Sequence, residues 1–184
     1  MTTLACTPAT TLVLGGARSG KSAFAERLAR DSKLERVYLA TASAGDDEMR
    51  QRIAHHRAQR GDGWRTVEEP LALVEALERE TASGRAVVVD CLTLWLSNLM
   101  HADRDIEAET LRLAACLRQS PGPVFLVSNE VGLGLVPDTP LGRCFRDAQG
   151  RLNQAIAAVI PNVVFVAAGL PIWLKRFNQE EPTA

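Results

Sequence analysis

The chain has 184 residues, 21 Lys and Arg against 22 Asp and Glu, a formal net charge of −1 and 46% hydrophobic content. That length favours one α/β domain over residues 1–184 rather than two very small ones, and it suffices to bury a core without disulfides or a structural metal. The near-zero charge excludes unspecific nucleic-acid binding as the default activity, and the apolar content excludes disorder.

Residues 1–10 carry no strand or helix pattern and are expected to form a flexible N-terminal extension. With no Lys or Arg before Arg18, the basic start of a signal peptide is missing. Thr11 to Gly15 (TLVLG) reads as a buried strand, followed by a glycine-rich turn and a helix from Lys21 to Arg30. Arg36 to Thr41 is a second strand, and Asp46 to Arg60 a charged amphipathic helix. Pro70 to Thr81 follows as a helix with proline in its first turn, where a missing N–H costs nothing. Ala86 to Asp90 and Val124 to Ser128 are β-branched runs of the kind found in central parallel strands. Between them, Leu92 to Met100 and Glu107 to Arg118 read as helices. Arg143 to Ile160 is a further helix and Val163 to Ala168 the last strand. Ala155 to Leu174 has no charged residue over a membrane-sized length, but Pro161, Asn162, Gly169 and Pro171 interrupt it, so no membrane span is expected. This alternation predicts an α/β fold, a mostly parallel sheet with helices on both faces, holding its ligand at the carboxyl ends of the strands.

The four cysteines, Cys6, Cys91, Cys116 and Cys144, show no Cys-x-x-Cys spacing. That argues against zinc and against a disulfide framework, and it fits a reducing cytoplasm.

Gly15-Gly16-Ala17-Arg18-Ser19-Gly20-Lys21-Ser22 is a complete G-x-x-x-x-G-K-S set between a strand and a helix. Glycines let the backbone curl so that successive N–H groups face phosphate oxygens, and the helix N-terminus adds partial positive charge. Lys21 then reaches the β- and γ-phosphates, and the Ser22 hydroxyl ligates Mg²⁺. Asp90, at the end of AVVVD, is the acidic partner for that metal. Its other reading is a helix N-cap. The Asn-Lys-x-Asp guanine reader of a GTPase switch is absent. Ser128-Asn129-Glu130-Val131-Gly132 reads equally as a plain glycine-containing loop or as a substrate-side segment.

The Asp46–Arg60 stretch holds two of the three histidines. At helical spacing Met49, Ile53 and His56 share one face, with His55 about one step round. Arg52, Arg57 and Arg60 crowd the same helix, which suits a triphosphate. A neutral imidazole is a competent nucleophile toward phosphorus. Periodicity does not choose between His55 and His56.

Several landmarks in this order resemble those of a known family. They are GGARSGKS at 15–22, RIAHHRAQR at 52–60, WRTVEEP at 64–70, VDCLT at 89–93, SNEVG at 128–132 and FRDAQGRLNQ at 145–154. The chain is similar, from Thr11 to about Phe177, to the bifunctional adenosylcobinamide kinase / adenosylcobinamide-phosphate guanylyltransferases of cobalamin biosynthesis. The resemblance implies two reactions at one nucleotide site of a RecA-like P-loop fold. ATP or GTP phosphorylates the aminopropanol hydroxyl of adenosylcobinamide. GMP is then transferred from GTP, through a guanylyl-histidine, to adenosylcobinamide phosphate, giving adenosylcobinamide-GDP and pyrophosphate. The family pattern places the nucleophile at His56, with Lys21 as the second catalytic residue. It implies nucleotide contacts from Gly15, Gly16, Ala17, Arg18, Ser19, Gly20, Lys21 and Ser22, from Ala40, Thr41 and Ala42, from Arg57, Ala58, Gln59 and Arg60, and from Glu68 and Asp90. Ser22 and Asp90 would hold Mg²⁺. It further implies a cytoplasmic homotrimer with no nucleic-acid partner. The competing expectation is a P-loop small-molecule kinase without guanylyltransferase activity, in which both histidines are dispensable. A non-enzymatic nucleotide switch is the weakest alternative, for want of the guanine reader.

Overall fold

The computed structural model describes residues 9–42 and 60–177. The expected N-terminal extension falls largely, and the histidine helix almost wholly, outside the described residues.

Seven strands form one sheet: β1 (Thr11–Gly15), β2 (Glu35–Ala40), β3 (Trp64–Glu68), β4 (Arg85–Asp90), β5 (Val124–Asn129), β6 (Asn162–Ala167) and β7 (Leu170–Lys175). Their spatial order is β3-β2-β4-β5-β1-β6-β7. All neighbours are parallel except β6 and β7. Five helices are described: α1 (Lys21–Asp31), α2 (Leu73–Glu80), α3 (Leu92–His101), α4 (Ile106–Gln119) and α5 (Pro140–Val159).

Strand alternation divides the core in two. Leu12, Leu14, Val37, Leu39, Val87, Val89 and Leu126 pack under α2, α3, α4 and α5. Val13, Tyr38, Val88, Phe125 and Val127 pack under α1, against Phe24, Ala25 and Ala29. Both faces are covered, which is why the central strands are apolar without alternating polarity. The expected architecture is the one found.

Several boundaries differ from expectation for identifiable reasons. Trp64–Glu68 forms an edge strand that its mixed polarity conceals. Pro70 is not in a first helical turn, because α2 begins at Leu73. Instead the Glu69 carboxylate accepts from the amides of Leu71 and Ala72, at 3.1 and 2.8 Å, and holds a turn there. Helix α5 starts three residues before Arg143, with Thr139 accepting from the Gly142 amide and Pro140 in the first turn. Val163–Ala168 is not the last strand. Ala168 and Gly169, at φ 51° and 79°, make a two-residue hairpin turn into β7. An Ala-Gly pair is a weaker sequence signal for that turn than Asn-Gly. Pro171 is tolerated because β7 lies at the sheet edge. Among the described residues, no helix is long and apolar enough to cross a membrane.

Candidate active site

Register and alternation together assemble the site. Gly15 lies opposite Asn129, Val127 opposite Asp90, Asp90 opposite Ala40, and Ala40 opposite Glu68. In a parallel sheet, side chains at matched positions point to one face. Tyr38, Ala40, Thr66, Glu68, Asp90 and Asn129 therefore all face the side that carries α1 and the loop before it. They line one cavity of about 500 Å³ with Ala17, Arg18, Ser19, Gly20, Lys21, Ser22, Ala42 and Arg60.

The 15–22 loop has the shape its sequence predicts. Arg18 and Gly20 take φ of 55° and 95°, the left-handed turns by which such a loop curls. Gly20 is the N-cap of α1, and the first turn holds no acidic residue, so nothing competes for its N–H groups. Lys21 is almost fully buried and its Nζ donates to the Gly16 carbonyl at 2.9 Å. Burial lowers its pKa, and the Asp90 carboxylate opposes that shift. A desolvated ammonium folded back on its own loop is poised for an anion. The loop is braced from outside by the β6–β7 turn, where Gly169 N–H donates to the Ser19 carbonyl at 2.8 Å. A Cβ on Gly20 would meet Gly169 Cα at 3.2 Å.

Asp90 ends β4 and lines the same cavity as Lys21. The Tyr38 hydroxyl donates to Asp90 Oδ2 at 2.8 Å, and burial followed by the Asp90 charge pushes that phenol's pKa up. One carboxylate oxygen is thus held in place. The Arg60 guanidinium stacks on the Tyr38 ring, 3.5 Å from its centroid, as a cation–π pair. Inside α1, the buried Glu26 bonds Arg30 at 2.8 Å and has its pKa raised, chiefly by burial.

Not every expected contact faces the cavity. Thr41 is fully buried, and its hydroxyl donates to the Cys91 carbonyl at 2.7 Å while accepting from the Cys91 amide at 2.8 Å. Its side chain ties β2 to the end of β4, while Ala40 and Ala42 on either side line the cavity. Gly15 and Gly16 form the strand end and the start of the loop. His55, His56, Arg57, Ala58 and Gln59 lie outside the described residues.

Sequence reasoning missed Ala23, Tyr38, Thr66, Cys91 and Leu94 as lining residues, and reached Asn129 only as part of the Ser128–Gly132 segment, one of whose two readings was substrate-side. Tyr38 and Thr66 sit two positions before the named Ala40 and Glu68, so period-two spacing was the available signal. It also missed a buried polar cluster behind the site. There the Gln149 amide donates to Ser128 Oγ and Asn153 Oδ1, both at 3.0 Å, and Ser128 Oγ donates to Asn153 Oδ1 at 2.7 Å.

Comparison with known proteins agrees with this geometry. The family model described as cobinamide kinase / cobinamide phosphate guanyltransferase matches residues 11–174. The chain belongs to that family. It is 54% identical over 166 residues to the bifunctional adenosylcobalamin biosynthesis protein CobP of Pseudomonas aeruginosa, covering 89% of this chain and 96% of that one. To the bifunctional adenosylcobalamin biosynthesis protein CobU of Escherichia coli it is 41% identical over 179 residues, covering 89% and 98%. The RadB recombinase structure shares the fold, with a TM-score of 0.55 at 14% identity, covering 96% of this chain and 85% of that one. The chain is therefore a P-loop enzyme of cobalamin biosynthesis with cobinamide kinase and cobinamide-phosphate guanylyltransferase activity.

Proposed function

We propose that both reactions use the one cavity at the 15–22 loop, in a single domain, with GTP or ATP as phosphoryl donor and GTP as guanylyl donor. The observation that carries this reading is that Lys21 and Asp90 line one cavity together with the uncapped N-terminus of α1. In the kinase step the loop amides and Lys21 hold the triphosphate, and the aminopropanol hydroxyl of adenosylcobinamide attacks the γ-phosphorus as the nucleoside diphosphate leaves. In the second step His56 attacks the α-phosphorus of GTP and pyrophosphate leaves. The phosphate of adenosylcobinamide phosphate then displaces the histidine, giving adenosylcobinamide-GDP. The family pattern over 52–60 supports His56 as the nucleophile, and Arg60, the last residue of that run, lies on the cavity wall.

Ser22 and Asp90 fit Mg²⁺. Both offer hard oxygen donors at the cavity, and Tyr38 engages only one Asp90 oxygen. Among the described residues no group of three or more His, Cys, Asp or Glu could hold a metal, so the remaining ligands would be substrate phosphates and water. When bound, the ion would neutralise charge developing on the phosphates.

The decisive experiment is incubation with α-³²P-GTP and Mg²⁺. An acid-labile, alkali-stable protein label, lost in His56→Ala and kept in His55→Ala, supports the guanylyl-histidine. Turnover of adenosylcobinamide phosphate to adenosylcobinamide-GDP with no protein-bound label sinks it. Cytoplasmic location is supported by Cys91, Cys116 and Cys144 all being free thiols. The homotrimer is carried over from the family resemblance, and the exposed apolar face of β7, formed by Leu170, Ile172 and Leu174, supports self-association. A light-scattering mass of one chain would overturn the assembly.

A further inference from the structure

Asn129 is held on both sides and open at its end. Its amide donates to Thr93 Oγ1 at 2.8 Å, and its carbonyl accepts from Asn153 Nδ2 at 3.2 Å. Asn153 is itself fixed by Ser128 and Gln149. The backbone of this residue is thus fully committed. Its side chain lines the cavity, yet Oδ1 is sealed from solvent with no hydrogen-bond partner among the described residues. Buried polar atoms are nearly always paired, so a carboxamide with an unpaired oxygen beside a cavity keeps hydrogen-bonding capacity that a turn of the side chain would bring to a ligand. A half-turn of the carboxamide exchanges oxygen and nitrogen, so either polar atom can face the cavity.

Position narrows the ligand. β5 lies between the strand carrying the 15–22 loop and the strand ending in Asp90, and Asn129 stands opposite Gly15. The chain leaving Asn129 is tied to the loop by Glu130 N–H donating to the Gly15 carbonyl at 3.1 Å. It then presents Leu133, Leu135 and Val136 to solvent at 81, 96 and 63% exposure. Three apolar side chains offered to water on the segment that leaves the cavity wall have the character of a docking surface for the apolar ring face of a large ligand.

We propose that Asn129 and the β5–α5 loop form the acceptor subsite: Leu133, Leu135 and Val136 seat the corrinoid, and the Asn129 carboxamide hydrogen-bonds the hydroxyl that is phosphorylated. This rests on the 15–22 loop holding the triphosphate. A hydroxyl both donates and accepts, so it meets the amide in either orientation. Held there, its oxygen bonds to the γ-phosphorus while the bond from that phosphorus to the bridging oxygen breaks, its electrons leaving with the nucleoside diphosphate. The alcohol proton leaves to a phosphoryl oxygen. The amide is too weak a base to take it, so its part is to aim the hydroxyl.

The test compares wild type, Asn129→Ala, Asn129→Ser, Leu135→Asp and Lys21→Ala. It measures affinity for a fluorescent GTP analogue, the ratio of adenosylcobinamide phosphorylation to nucleotide hydrolysis, and solution mass. In either Asn129 variant the alcohol-to-water ratio falls at least tenfold, and in Leu135→Asp the KM for adenosylcobinamide rises at least fivefold. Nucleotide affinity stays within twofold in all three. An unchanged ratio, or a loss of nucleotide affinity as large as the loss of transfer, overturns the proposal. So does a Leu135→Asp protein that loses oligomer mass with its KM unaltered, because the loop would then face another copy. Nucleotide affinity retained in Lys21→Ala would instead remove the phosphate-site reading on which the subsite depends.

Discussion

Thr41 offers the sharpest test of how the site is held. Thr41→Val keeps the shape of a fully buried side chain and removes its hydroxyl. Two bonds go with it, at 2.7 and 2.8 Å. They are not equivalent. The Cys91 amide loses its partner and is left bare, which costs about 1–3 kcal/mol. The Cys91 carbonyl keeps the Trp95 amide at 3.1 Å, so its loss is an ordinary bond, about 0.5–1.5 kcal/mol. The extra methyl returns up to about 0.8 kcal/mol of burial. The net expectation is a loss of about 2–3 kcal/mol in urea unfolding of the nucleotide-free protein, or about 5–10 °C in melting temperature for a chain of this size. Thr41→Ser keeps the hydroxyl and should lose about 1 kcal/mol or less. Should Thr41→Val unfold within 0.5 kcal/mol of wild type, or Thr41→Ser prove equally unstable, the strut between β2 and β4 is not what Thr41 provides.

Three further outcomes follow from the site. Burial lowers the Lys21 pKa from its usual 10.5, so the folded protein releases that proton first as pH rises. Between the folded pKa and 10.5 the unfolded chain binds more protons, so Lys21 makes the nucleotide-free protein more stable with rising pH there. Nucleotide affinity falls over the same window. A Lys21→Met protein should lack both slopes, which alkaline unfolding and binding titrations measure. Tyr38→Phe removes the donor to Asp90 Oδ2, and about tenfold more Mg²⁺ should be needed for half-maximal kinase rate, from about 1.5 kcal/mol for a bond to a charged group; an unchanged Mg²⁺ titration would show that Asp90 needs no such support. Gly20→Ala combines a φ of 95° with a Cβ 3.2 Å from Gly169. It should weaken binding of a fluorescent GTP analogue at least tenfold, from about 1–3 kcal/mol of local strain.

Local sequence was enough to read the sheet-and-helix alternation, the glycine-rich loop and the acidic end of β4. Each is local chemistry: glycines that permit positive φ, a Lys-Ser pair opening a helix, and β-branched runs that only a covered parallel sheet accommodates. The landmark order from 15 to 154 was enough to identify the family. Tertiary structure decided what those residues face. Tyr38 and Thr66 reach the cavity, and Thr41 does not, because three strands align so that their odd and even positions coincide. Asn129 becomes part of the site only because β5 inserts between β1 and β4. Its sequence neighbours left the segment open between a plain loop and a substrate-side one. Strand order is a property of the whole chain, settled by which hydrophobic faces must be covered together, and no local window records it.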